Sequence, residues 1–146
     1  MVLQKMRKDK TVLIDSDAFI AFIKENDSNH NKAKKIFKQL ERKNINFITS
    51  NYVFAETVTV ISQRIGHKTA LEFIENVRSS KSLIATRWVD EHLEEMAINI
   101  FKSQISKNVS FVDCANMALM NYYNLSAIFS FDAIYKKQGF KIASDL

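Results

Sequence analysis

Short apolar segments alternate with helical segments along this chain, and that alternation restricts its possible folds more than any other feature. The apolar segments are rich in β-branched and aromatic residues, which is typical of buried strands. We predict strands at residues 11–14, 46–49, 83–86 and 127–129, with a last short strand at 140–142. Strands that alternate with helices form βαβ units, whose crossovers are right-handed and whose sheets are mostly parallel.

The segments between the strands have helical periodicity. Apolar residues from Ala33 to Leu40 recur at helical spacing among lysines, which predicts an amphipathic helix with a basic outer face. Ser50 and Asn51 are suitable N-caps for a helix at about 52–64 that is apolar on nearly all sides and is therefore predicted to be buried, with Gly66 as its stop. Further helices are predicted at about 68–78, 93–101 and 110–123, with two shorter ones through residues 19–23 and from residue 132.

Length and composition favour one compact unit. The chain has 146 residues with no proline and two glycines, so we expect a single domain over residues 1–146 without flexible linkers. The expected fold is a three-layer α/β/α sandwich around a mostly parallel sheet. No apolar run is long enough to cross a membrane, the N-terminus has no apolar signal region, and the lone Cys114 is read as a core residue, so we expect a cytoplasmic protein.

Four of the sixteen acidic residues lie in apolar surroundings: Asp15, Glu56, Asp113 and Asp132. None of them has a lysine or arginine within three positions. Each follows a predicted strand or lies near the start of the next helix, and in an open α/β sheet such positions converge on one crevice. If all four share that crevice, 21 basic groups face only 12 acidic ones on the remaining surface, which suits a polyanionic ligand.

A cluster of buried carboxylates needs either neutralisation or a cation, because burial and mutual repulsion both disfavour their charged forms. Simpler interpretations stay open for each residue. Asp113 lies three positions after Ser110, which is the spacing of a capping box, and Asp132 could cap the helix that follows it. Asp17 is equally suited to be an N-cap of its helix or a member of the site. The histidines are scattered through polar segments, so no histidine-based mechanism is supported.

The order and context of these acids resemble a PIN domain, and most closely a VapC-type toxin ribonuclease. The segments VLIDSDAFIAFI, TSNYVFAET, SFVDCANMAL and FSFD are similar to the four acidic motifs of that family, in the same order, and they span nearly the whole chain. Two positions depart from the family pattern. Asp17 stands where Asn or Ser is frequent, which adds a carboxylate, and Ser130 stands where Thr is common, which keeps a hydroxyl.

The resemblance implies a metal-dependent endoribonuclease that acts as the toxin of a toxin–antitoxin pair. By that resemblance Asp15 and Asp113 are the principal ligands of Mg²⁺ or Mn²⁺, Asp132 assists directly or through water, and Glu56 positions water or a second ion. Ser110, Ser130 and Asp17 would support them. The expected partners are an RNA substrate, an antitoxin protein and a second copy in a homodimer. The implied products carry a 5′-phosphate and a 3′-hydroxyl.

Two rival interpretations remain at this point. In a haloacid-dehalogenase-type phosphatase, Asp15 would be the nucleophile and Asp17 the general acid, with the segment FITS as the second motif. Ala18 fits that family poorly, and Glu56 would have no role. The second rival is a PIN-like module that binds RNA or protein without cutting it.

Basic groups at Lys5, Arg7, Lys8 and Lys10 and along the helix at 32–43 either hold phosphates or form a solvated face.

Overall fold

The computed structural model describes residues 9–146, so the basic residues Lys5, Arg7 and Lys8 lie outside the described part of the chain. Within residues 9–146 the chain forms four strands, namely β1 (Thr11–Ile14), β2 (Asn46–Ser50), β3 (Ile84–Arg87) and β4 (Ala127–Phe129). The helices in the same range are α1 (Ser16–Ile23), α2 (His30–Arg42), α3 (Asn51–Arg64), α4 (His67–Arg78), α5 (Glu91–Ser103), α6 (Phe111–Tyr122) and α7 (Ile134–Lys137), followed by a 3-10 turn at Ala143–Asp145.

All four strands are parallel and lie in the order β3-β2-β1-β4. The chain adds β2 and β3 on one side of β1 and then crosses to add β4 on the other side. The strand order therefore reverses between β1 and β4. In open α/β sheets, ligands bind at the carboxyl ends of the strands beside such a reversal.

Alternating side chains of the strands divide the core into two layers. Val12 and Ile14 pack with apolar residues of α1 to α4 on one face, whereas Leu13 packs with α5, α6 and Tyr135 on the other. The period of two in a strand explains this division, since successive side chains point to opposite faces. The predicted three-layer α/β/α sandwich with a parallel sheet is confirmed, and no described helix is long and apolar enough to span a membrane.

Two local predictions are wrong. Residues 140–142 form no strand and make only an isolated bridge, between Ile128 and Ile142, because the chain turns at once into the 3-10 helix. Helix α3 is not buried all round: Val53, Thr57 and Ile61 are its buried residues, since one stripe of the helix faces the core and the opposite side faces solvent.

Asparagine ends helices where a glycine would be usual. Asn44 and Asn124 follow α2 and α6 with φ values of 55° and 50°, in the left-handed region that asparagine tolerates better than most residues. At each of these ends a backbone N–H bonds back across the turn, Ile45 to the Leu40 carbonyl and Leu125 to the Met120 carbonyl. These turns direct the chain into β2 and β4, so they help to fix where the strand ends meet.

Candidate active site

Asp15 is at the centre of a hydrogen-bonded cluster beyond the carboxyl end of β1. It is 5% exposed, and it caps α1 by accepting a hydrogen bond from the Ser16 N–H at 2.8 Å. The same oxygen, Oδ1, accepts from Asn116 Nδ2 at 3.1 Å. Its other oxygen, Oδ2, accepts from Ser130 Oγ at 3.0 Å and lies 3.1 Å from the Tyr135 hydroxyl. These four neutral donors occupy all the acceptor positions of the carboxylate.

The Tyr135 hydroxyl joins Asp15 to Asp113. Tyr135 is fully buried, accepts a hydrogen bond from Asn116 Nδ2 at 2.9 Å, and lies 3.1 Å from Asp113 Oδ1 as well as 3.1 Å from Asp15 Oδ2. A phenol carries one proton, so it donates to only one of these carboxylates at a time. Burial and the two nearby carboxylates raise the pKa of Tyr135 above its usual range, which keeps it protonated.

Asp113 is both a helix cap and a member of the cluster. Its Oδ2 accepts from the Ser110 N–H at 2.9 Å, and Ser110 Oγ accepts from the Asp113 N–H at 3.0 Å, which is a complete capping box. Its Oδ1 points to Tyr135. The capping interpretation and the site interpretation of Asp113 are therefore compatible, because one carboxylate has two oxygens.

Asp17 lies in the same cluster. Of the two interpretations left open for it, the N-cap is wrong, because Asp15 caps that helix. Asp17 Oδ2 accepts from the Phe131 N–H at 2.8 Å and from Ser130 Oγ at 3.2 Å, so this carboxylate holds the loop after β4. Its Oδ1 is buried and has no hydrogen-bond donor among residues 9–146. Burial raises the pKa of Asp17, and the charge of Asp132 adds to the rise.

Asp132 and Glu56 form the two ends of the row of carboxylates. Asp132 is exposed and accepts from the Ile134 N–H at 3.0 Å. The N-cap of α7 is Ala133, so Asp132 lies one position before the observed cap and its interpretation as the N-cap is wrong. Glu56 is exposed on α3, but its carboxylate is partly desolvated, which raises its pKa. The charge of Asp113 adds to that rise, whereas the neighbouring Ser16 hydroxyl lowers it. The charge effects on Asp15, Asp17 and Glu56 link the carboxylates into a row. Its order is Asp132, Asp17, Asp15, Asp113, Glu56.

Desolvation raises the pKa of Asp15 to about 7, and the charges of Asp17 and Asp113 act in the same direction. Hydrogen bonds from Ser16 and Ser130 oppose the rise but do not cancel it. The free protein therefore holds this group between its acid and carboxylate forms near neutral pH. A bound cation would stabilise the carboxylate form of such a group, because a nearby positive charge offsets the cost of ionising a buried carboxyl.

The donor chemistry fits a hard divalent cation. No three His, Cys, Asp or Glu side chains among residues 9–146 are already arranged to hold a metal ion. Mg²⁺, however, usually keeps several waters and takes only one or two carboxylates, so a row of oxygen ligands suits it. The unsatisfied Oδ1 of Asp17 is an acceptor that such an ion or its waters would satisfy. The residues present therefore fit Mg²⁺ or Mn²⁺.

Two hydroxyl groups can uncover Asp15 for such an ion. Ser130 Oγ lies within hydrogen-bond distance of both Asp15 and Asp17, at 3.0 and 3.2 Å, and Tyr135 has the same choice between Asp15 and Asp113. Rotation of each O–H bond toward its second acceptor removes a hydrogen bond from Asp15, and an ion reaches Asp15 Oδ2 only when the hydroxyl oxygens also move aside. In the free protein Asp15 is therefore covered by two hydroxyl donors, and each of them has a second carboxylate within hydrogen-bond distance.

Sequence reasoning missed Asn116 and Tyr135, which are both fully buried. Asn116 lies three positions after Asp113 on the same helix face, and Tyr135 lies three positions after Asp132. A polar residue inside the apolar segment CANMALM was a usable signal, because buried polar groups require partners. The tyrosine gave no such signal, since tyrosine is common in ordinary cores.

The phosphatase interpretation does not suit this geometry. In the segment FITS, Thr49 donates to the Ile14 carbonyl and Ser50 caps α3, so both hydroxyls are engaged in local structure. Both residues are also fully buried, so neither hydroxyl can reach a phosphate group.

We expect Tyr135→Phe to lower the catalytic rate roughly 10- to 100-fold, the range for groups that orient metal ligands. The phenylalanine ring still fills the same place in the core, but the hydroxyl proton that Tyr135 donates to Asp15 or to Asp113 is lost. Metal-free Tyr135→Phe should therefore be less stable near pH 8, by about 1–3 kcal/mol, than the wild type. Urea unfolding and a cleavage assay measure the two effects. Tyr122→Phe, on the exposed end of α6, is the matched control, and equal activity of all three proteins would contradict this role.

Comparison with known proteins adds three findings. A family model described as PIN domain matches residues 12–141. The 23S rRNA-specific endonucleases VapC20 from two strains of Mycobacterium tuberculosis are each 27% identical over 129 residues, covering 88% of this chain and 95% of theirs. The crystal structure of Mycobacterium tuberculosis VapC20, described as a sarcin-ricin loop cleaving toxin, matches with a TM-score of 0.77 and 26% identity, covering 88% of this chain and 95% of that one.

Proposed function

Because this chain belongs to the PIN domain family, we propose that it is a metal-dependent endoribonuclease whose active site is the row of carboxylates from Asp132 to Glu56. The observation that carries this proposal is the hydrogen-bonded cluster around Asp15 at the point where the strand order reverses. The similar VapC20 proteins are named as endonucleases specific for 23S rRNA. Ribosomal RNA is therefore the first substrate class to test.

Asp15, Asp113 and Asp132 would hold the metal ion, and the free oxygen of Asp17 would support it directly or through water. When bound, Mg²⁺ or Mn²⁺ supplies an acidified attacking water and neutralises charge on the phosphate. Asn116, Ser130 and Tyr135 orient the carboxylates around it. No side-chain nucleophile is required.

Glu56 is the group best placed to accept a proton from the attacking water. Its side chain is exposed, so a substrate can reach it, and its raised pKa makes it a stronger base than an ordinary glutamate. The P–O bond to the 3′ oxygen then breaks, and that oxygen takes a proton from solvent water, so the products carry a 5′-phosphate and a 3′-hydroxyl. Asp132 is exposed at the other end of the row, so a substrate can also reach the metal ion that it would hold.

We also propose the cellular setting that the family resemblance implies. The chain would act in the cytoplasm as the toxin of a toxin–antitoxin pair and would form a homodimer. An antitoxin that places a basic side chain among the carboxylates would block the site, because Arg and Lys form strong charge-assisted hydrogen bonds with carboxylates. Co-expression with the protein encoded next to it, followed by light scattering, tests both assemblies.

The proposal is tested with a circular RNA that contains a ribosomal sequence. A circle has no ends, so only an endonuclease converts it to a linear product. We expect linear RNA in Mg²⁺ or Mn²⁺. An intact circle together with phosphate released from a small phosphomonoester would instead support the phosphatase. An intact circle that the protein nevertheless binds would support a non-catalytic PIN-like module.

A further inference from the structure

An aromatic groove opens beside the row of carboxylates. It is an open depression of about 680 Å³ at the start of α3, lined by Tyr52, Phe54, Glu56, Arg78, Trp88 and Phe111 among others. Trp88 is 61% exposed, which is unusual for the largest apolar side chain. Glu56 belongs both to this groove and to the proposed active site. A ligand whose reacting group lies at the carboxylates can therefore extend into the groove.

The position of Trp88 is fixed by its neighbours. The next residue, Val89, is buried, and its N–H donates to Asn51 Oδ1 at 2.7 Å. The backbone at Trp88 is therefore held at the end of β3 against the start of α3, while the indole faces solvent. An exposed aromatic ring on an ordered backbone is a pre-organised binding surface.

Arg78 supplies the only cationic side chain among the described residues that line this groove. Its guanidinium lies 4.1 Å from the centroid of the Phe54 ring and 5.5 Å from that of Trp88. A guanidinium stacked in this way keeps its outward N–H groups free for an anion, and it binds phosphate oxygens well. The groove thus combines a flat apolar surface with one positive charge. Glu56 connects it to the proposed site of hydrolysis.

We propose that this groove is a nucleobase-binding subsite, in which an unpaired base next to the scissile phosphate stacks on Trp88 and Arg78 holds the adjoining phosphate. Proteins that bind single-stranded RNA use this combination of aromatic platforms and basic groups. The inference rests on the proposed function, because it requires an RNA substrate at the carboxylates. The competing occupant, a second copy of this chain, would need a larger apolar surface with fewer charges.

The kinetic test compares Trp88→Ala, Trp88→Phe and the control Tyr122→Ala on the same RNA. Tyr122 is also an exposed aromatic residue, 52% accessible, but it lies at the opposite end of α6 from Asp113. We expect Trp88→Ala to raise KM roughly 5- to 100-fold, the range for losing one base–aromatic stack, with kcat nearly unchanged. Trp88→Phe should retain most of the affinity, and the control should match the wild type. An unchanged KM in Trp88→Ala overturns the proposal.

A binding test separates this inference from the proposed function. Trp88 is the only tryptophan in the chain, so intrinsic tryptophan fluorescence reports on this groove alone. In EDTA, a hexaribonucleotide should quench that fluorescence to saturation, and a hexamer of the same backbone without bases should not. Equal quenching by both, or none by either, contradicts base stacking even if the protein cleaves RNA. A lower molar mass of Trp88→Ala in light scattering would assign the groove to a subunit contact instead.

Discussion

Asp15→Asn should abolish RNA cleavage while making the metal-free protein more stable above neutral pH. The loss of activity should exceed the 10- to 100-fold typical of orienting groups, because Asp15 is proposed to hold the metal itself. The amide fits the existing contacts. Its oxygen can accept from the Ser16 N–H and from Asn116, and its nitrogen can donate to the hydroxyls of Ser130 and Tyr135. Those hydroxyls then donate to Asp17 and Asp113.

The gain in stability follows from the raised pKa of Asp15, about 7 in the folded protein. An unfolded aspartate ionises near pH 4, so between about pH 4 and 7 the unfolded state loses its proton first. The wild-type free energy of unfolding therefore falls as pH rises through that window, by about 1.4 kcal/mol for each unit of pKa difference, and levels off above pH 7. Asp15→Asn lacks this decline.

Thermal melts in EDTA at pH 4 and pH 8 measure the effect. Asp15→Asn should melt several degrees above the wild type at pH 8 and no higher than the wild type at pH 4. Asp90→Asn is the matched control, because Asp90 also caps a helix, α5, but stands apart from the cluster. That control should match the wild type in cleavage and in melting. An Asp15→Asn protein that cleaves RNA normally, or melts lower at pH 8, would refute the assigned role.

Asp113→Asn should also abolish cleavage, and it should do so at little cost in stability. The amide oxygen can still accept from the Ser110 N–H, so the capping box keeps its backbone contact. The amide nitrogen can donate to the Tyr135 hydroxyl, which then donates to Asp15. The variant loses only the negative charge that we propose holds the metal.

Ser110→Ala is the reciprocal variant, because it breaks the capping box and leaves the Asp113 carboxylate in place. We expect it to lose about 0.5–2 kcal/mol of stability and to keep its cleavage activity within a few fold. Urea unfolding and the cleavage assay, applied to both variants, separate the two roles of Asp113. An Asp113→Asn protein that cleaves RNA as well as the wild type would contradict the metal-binding role and would show that Asp113 serves its helix alone.

Local sequence patterns were sufficient to predict most of the fold. Four of the five predicted strands form, and their ends differ from the observed ones by at most one residue, because short buried strands of a parallel sheet are continuous apolar segments. The failures occurred where tertiary contacts decide. Residues 140–142 have strand-like composition, but only Ile142 meets β4. Helix α3 is apolar in composition, yet one side of it lies in solvent beside the carboxylates.

The sequence indicated which acids belong to the candidate site, but not how they are organised. Acids in apolar surroundings are a local signal, and they indicated Asp15, Glu56, Asp113 and Asp132. The contacts that organise them join Asp15 to Asn116 and to Tyr135, across 101 and 120 positions of sequence. Those contacts depend on how α6 and α7 pack over β1, which no local pattern specifies. For the same reason, the sequence could not decide whether Asp17 caps α1 or joins the site.

The most direct test of the active-site assignment is to identify the ends of RNA fragments produced by the wild type in Mg²⁺, in EDTA and with Asp15→Asn in Mg²⁺. Hydrolysis at the carboxylates predicts fragments with 5′-phosphate and 3′-hydroxyl ends from the wild type in Mg²⁺. It predicts no such fragments from the wild type in EDTA or from Asp15→Asn in Mg²⁺. Fragments ending in a 2′,3′-cyclic phosphate, or equal cleavage in EDTA, would contradict the assignment, because either result would mean that RNA is cut without the metal chemistry proposed for this row of carboxylates.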